Sequence, residues 1–108
     1  MLFKRNILKK ILEGKKTVTR GPVERKRGRR IYEIGEKVGI TNRYKKPDNF
    51  IVITRKSRQV LGDMTEEDAR KEGFESLEEF QKAWARIYGE YNPRQVVWVY
   101  EFKLANSD

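Results

Sequence analysis

GKKTVTR, residues 14–20, is the stretch on which the fold turns. Gly14 stops the apolar-periodic run before it, and the β-branched Thr17, Val18 and Thr19 favour an extended chain. A helix therefore hands over to a strand here. Lys16 and Thr19 fall beside that turn, where a cation, a hydroxyl and exposed backbone N–H groups come within reach of a polar ligand. The same residues would also serve as an ordinary basic turn feeding an edge strand, and their spacing alone does not separate the two readings.

Upstream, Phe3, Ile7, Leu8, Ile11 and Leu12 recur at three- and four-residue spacing, which predicts an amphipathic helix with Lys4, Arg5, Lys9 and Lys10 on its other face. Downstream, Gly21-Pro22 is expected to break the ladder of the Thr17–Thr19 strand. RKRGRR, residues 25–30, is then a basic loop. Ile31, Tyr32 and Ile34 lead into a Gly35-Glu36 turn, and Lys37–Thr41 reads as a short strand. Lys45, Lys46, Pro47 and Asp48 form the next turn, and Phe50–Val60 reads as a longer strand. Thr65-Glu66-Glu67-Asp68 resembles a capping box opening a helix that Gly73 ends; Ser76 opens another running to about Tyr88, with Leu77, Phe80, Trp84 and Ile87 on its apolar face. Two helices around a glycine invite a helix-turn-helix reading, but residues 63–90 carry nine acids against four bases, a surface that phosphate would repel, so DNA recognition by this pair is set aside. The run VVWVYEFKL, residues 96–104, is the strongest strand, with Val96, Trp98, Tyr100, Phe102 and Leu104 on its core face; Asn106–Asp108 is a frayed tail. The sum is an α+β domain: a small mixed β-barrel of about five strands, with an N-terminal helix and two helices before the last strand.

A length of 108 residues accommodates one domain, spanning residues 1–108, with a single modest core. No apolar run is long enough to span a membrane, and Lys9 and Lys10 interrupt Ile7–Leu12, so the expected location is the cytoplasm without anchor or signal peptide. Cysteine and histidine are both absent. That excludes disulfides, thiol nucleophiles and thiolate zinc sites, leaves catalysis to Lys, Thr, Tyr and carboxylates, and predicts no metal or other cofactor. The net charge of +9 is unevenly placed: residues 1–60 hold 19 Lys and Arg against 5 Asp and Glu, and residues 61–108 hold 6 against 11. A composition rich in Lys, Glu and Arg also fits a heat-adapted surface, which accounts for the amount of charge. Its segregation points to a polyanionic partner, nucleic acid first.

These residues resemble the ASCH domains, relatives of the PUA RNA-binding fold. The resemblance rests on ILEGKKTVTR at 11–20, the Gly35 turn before a strand, LGDMTEEDARKEGF at 61–74, LEEF with Trp84 at 77–84, and VWVYEFKL at the end. The family signature is a glycine, a lysine two residues on, a Glu or Thr three beyond, and an arginine two further. Gly14, Lys16 and Thr19 fit it, whereas the arginine place holds Gly21, with Arg20 one residue early. The resemblance implies a PUA-like barrel binding RNA or a modified nucleoside in a cleft beside the signature strand. Small bacterial members are amidohydrolases that deacetylate N4-acetylcytidine with a lysine, a threonine and a glutamate. Matching motifs carry these roles to Lys16, Thr19 and Glu72, so a metal-independent amidohydrolase is the alternative to a binding module. Residues three apart on a regular strand face opposite sides, so Lys16 would have to lie in the turn or at a bulge. Nucleic-acid contacts are expected from Lys15, Arg20, Arg25, Lys26, Arg27, Arg29, Arg30, Lys45 and Lys46.

Overall fold

The computed structural model describes residues 1–23, 30–42 and 46–105. Arg25, Lys26, Arg27, Arg29, Lys45 and the tail 106–108 lie outside the described residues. The elements, in chain order, are α1 (Arg5–Leu12), β1 (Val18–Pro22), β2 (Lys37–Ile40), β3 (Asn49–Val60), a 3₁₀ turn Leu61–Asp63, α2 (Glu66–Lys71), α3 (Leu77–Tyr88) and β4 (Val96–Ala105). No helix among them is long and apolar enough to cross a membrane.

The described strands form one open antiparallel sheet in the order β1-β4-β3-β2, in place of the expected barrel of about five strands. The segment before β2 is tied to the sheet by single bonds. The Tyr32 amide donates to the Tyr100 hydroxyl at 3.2 Å, and the Gly35 amide to the Ile53 carbonyl at 2.7 Å. Leu2 bridges Thr41 in parallel, which sets the start of the chain beside the β2 end of the sheet. From there α1 crosses one face and delivers β1 to the opposite edge.

Two details of the sheet depart from the sequence reading. Gly21-Pro22 does not break β1, because Gly21 pairs with Trp98 and Pro22 with Val97. The physical reason is position: β1 is an edge strand, where a proline's missing N–H need not interrupt a ladder. Second, β4 is packed on both faces, with Tyr100 and Phe102 buried on one and Val97 and Val99 on the other. Val96 and Leu104, assigned to the core, are exposed at its ends. Ile11 of α1 closes one cluster over Val38, Ile40, Ile51, Ile53, Tyr100 and Phe102. On the other side α2 and α3 press Ala69, Phe80 and Trp84 onto Leu61, Met64 and Val97.

The helix ends follow their local chemistry. Thr65 and Asp68 exchange both bonds of a capping box, and the Ser76 hydroxyl accepts from the Glu79 amide. Along α3 the apolar row is Phe80, Trp84 and Tyr88, with Trp84 and Tyr88 ring centroids 4.3 Å apart; Ile87, expected on that face, is exposed.

Candidate functional site

The turn after α1 is built so that Lys16 goes inward. The amides of Lys15 and Lys16 both donate to the Lys10 carbonyl, at 2.8 and 3.1 Å, and the Thr17 amide donates to the Lys71 carbonyl at 2.9 Å. The Lys10 ammonium also donates to the Gly73 carbonyl. These bonds stitch the entry of β1 to the C-terminus of α2. Gly73, at φ +97°, is required here: a Cβ would be strained and would meet the Lys16 side chain at 3.4 Å.

Lys16 precedes β1, in the turn, and Lys16, Val18 and Arg20 alternate toward one face. That face meets Glu72, the residue closing α2. The Lys16 ammonium donates to the Val18 carbonyl at 2.7 Å, to the Glu72 carbonyl at 2.8 Å and to Glu72 Oε1 at 2.8 Å, so its three protons are all used. The other Glu72 oxygen accepts from Arg20 Nη1 at 2.9 Å. Arg20 continues the chain, donating from Nε to Gln59 Oε1 at 3.0 Å, with Nη2 4.0 Å from Asp68 Oδ1. The Lys16, Arg20 and Glu72 side chains are each 5% exposed or less. Two cations thus face two carboxylates, and the cluster is neutral.

Burial pushes the Lys16 ammonium below the ordinary lysine range, and the Glu72 carboxylate opposes that through its charge and hydrogen bond. Burial raises Asp68, but the Thr65 amide, the Arg20 charge, Gln59 and the Thr65 hydroxyl together outweigh it and hold its carboxyl below the usual range.

Thr19 is placed differently. It pairs with Tyr100, and cross-strand partners share a face, so Thr19 lies on the sheet face opposite Val18 and Arg20. Of the three residues the resemblance selects, Lys16 and Glu72 are in direct contact, and Thr19 is outside their hydrogen-bonded set. Lys15 is exposed beside Glu13, Lys46 is exposed, and Arg30 pairs with Glu36 while lying over the Tyr32 ring.

Sequence reasoning missed three things here. Arg20 was assigned to nucleic acid from its charge; its two-residue alternation with Val18 and Lys16 was the available signal for an inward direction. Gln59 and Asp68 carried no such signal, since only the tertiary packing brings them to Arg20. The third is on the Thr19 face, where Lys56 Nζ and Arg58 Cζ lie 4.3 and 4.6 Å from the centroid of the Trp98 ring.

An open antiparallel sheet flanked by helices on both faces, with a buried Lys–Glu–Arg cluster clamping its edge strand, is an α+β domain of PUA-like kind. The family model of the ASCH domain matches residues 1–106, and the chain belongs to that family. Among solved structures it is similar to an ASCH domain from Lactobacillus crispatus, with TM-score 0.78 and 23% identity over 91% of this chain and 69% of that one. It is also similar to a protein from Enterococcus faecalis, with TM-score 0.66 and 16% identity over 96% of this chain and 74% of that one. A search of curated proteins found no match.

Proposed function

We propose that this ASCH domain is an RNA-binding module whose ligand, a single strand or a modified nucleoside in it, lies beside the Gly14–Arg20 segment. RNA binding is the function proposed for the family, and the basic first half of the chain suits it. The observation that carries the reading is the closure of the Lys16–Glu72–Arg20 cluster. With every Lys16 proton and both Glu72 oxygens already partnered inside the protein, the cluster supports a bracing role that fixes β1 for a ligand on its other side. Salt titration of binding to a labelled single-stranded oligoribonucleotide tests this. Each phosphate contact contributes about −0.7 to the log–log slope. Replacing Arg25, Lys26, Arg27, Arg29 and Arg30 together by Ser should flatten that slope; an unchanged slope and affinity would remove this loop from the interface.

One observation favours a second reading, an amidohydrolase acting on N4-acetylcytidine. Lys16 and Glu72 meet at 2.8 Å in a buried pair, and burial lowers the proton affinity of the Lys16 amine, as a general base needs. Thr19 would then orient a water that adds to the acetyl carbonyl from the far side of β1, the base passing the water's proton to the departing cytidine amine as the amide C–N bond breaks and acetate is released; if Thr19 attacks instead, water hydrolyses the resulting acetyl ester. The assay is acetate release without added metal, at a temperature where each variant stays folded. Lys16→Ala, Thr19→Ala and Glu72→Gln should each abolish turnover. Absence of acetate release by the wild-type protein, with RNA binding intact, would sink the hydrolase.

A further inference from the structure

The Thr19 face of the sheet carries an aromatic ring that is neither buried nor bare. Trp98 is half-buried at the rim of the α1-side core, and from β3 two cations reach its ring, Lys56 at 4.3 Å and Arg58 at 4.6 Å. Lys56 is spent on Glu33, which it bonds at 2.7 and 2.8 Å. Arg58 is exposed, and no carboxylate among the described residues pairs with it. On the opposite side of Trp98 the register partner from β1 is Gly21. A Cβ at Gly21 would meet no atom within 4 Å, so there is free space above Gly21 beside Trp98, on the same sheet face as Thr19. Gly21 thus leaves a gap beside a tryptophan, with a cation on the strand beyond it.

Building on the RNA-binding reading above, we infer that Trp98 is a base-stacking platform for single-stranded RNA, with the base seated over Gly21 and the adjoining phosphate on Arg58. A half-exposed indole with cations against its ring and free space beside it offers an unpaired base a surface to stack on, and cations polarising the ring strengthen the contact. Gly21 provides the room, because any side chain at this position would project from the same face beside the ring. An exposed guanidinium that no carboxylate among the described residues holds keeps its forked donors for a phosphate.

Fluorescence anisotropy with a labelled single-stranded oligoribonucleotide, and with the same backbone made abasic, tests the platform. Gly21→Val fills the slot on an edge strand where nothing clashes, so the fold is kept while the base is displaced. It should weaken binding about fivefold or more, and Trp98→Leu should do the same, in line with the usual worth of one stacked base. Arg58→Gln should lower the magnitude of the salt slope by about 0.7. On the abasic strand wild-type protein should itself bind weakly, and the gap between it and Gly21→Val should close. A folded Gly21→Val protein that binds RNA as tightly as wild type would overturn the platform while leaving RNA binding in place. Wild-type protein that binds no RNA would overturn the underlying reading instead.

Discussion

At the scale of single residues, the Lys16–Glu72–Arg20 cluster has a lopsided tolerance for change. Removing Glu72's charge leaves Lys16 and Arg20 both buried without their shared anion, whereas removing Lys16 leaves Glu72 still paired with Arg20. Breaking a buried pair by removing one partner costs about 3–5 kcal/mol. Glu72→Gln should fall in or near that range and exceed Lys16→Met, with urea denaturation midpoints as the measure; a smaller loss in Glu72→Gln would contradict the arrangement. Asp68 gives the cluster a pH signature. Its carboxyl is held below the ordinary 3.8, so its contribution is complete above that value and is lost as pH falls through the lower folded-state value. The melting-temperature difference between wild type and Asp68→Asn should therefore be flat near neutrality and shrink below pH 3.8.

At the scale of elements, the structure ties the turn after α1 to the turn after α2, and two glycines there differ in an instructive way. Gly14 and Gly73 both have positive φ, +79° and +97°, so alanine at either carries a backbone cost of about 1–3 kcal/mol. Only at Gly73 would the new methyl also press on Lys16, at 3.4 Å; at Gly14 it would meet nothing within 4 Å. Gly73→Ala should thus be the more destabilising in thermal melts, and equal losses would mean that Lys16 yields at no cost. The helices were legible because their signals are local. Gly14, Gly73 and Gly89 stand at the stops, and Thr65 and Ser76 at the starts. Strand faces were less so. Burial on both sides of β4 comes from helices far away in sequence, and an alternating pattern cannot tell one covered face from two when both carry valines and aromatics. Gly21-Pro22 read as a break because the edge position that accommodates proline is a property of the sheet order.

At the scale of the whole molecule, the two halves of the charge go to different places. The basic half supplies α1, β1, β2 and β3, and the acidic half supplies α2 and α3, which lie on the Val97 side of the sheet. The composition made that segregation visible, and it also made a polyanion the natural partner; which side of the sheet would meet it depended on a register that no local pattern encodes. This yields a test of approach direction. In a contact interface each cation displaced from phosphate by a side chain adds to the salt slope, whereas a distant charge only changes the field and is screened beyond about 8 Å at physiological salt. Glu75 and Glu79, exposed on the helical side, are distant charges if RNA lies on the Trp98 face. Neutralising both to Gln should raise affinity a few-fold at low salt and not at high salt, so the measured slope steepens at low salt through the field alone while affinity at high salt stays that of wild type. Arg58→Gln should do the reverse, reducing the slope at every salt concentration. If the Glu75 and Glu79 variant instead altered affinity equally at low and high salt while Arg58→Gln left the slope untouched, the strand would be lying against the helices, and the sheet face would not be where this domain meets RNA.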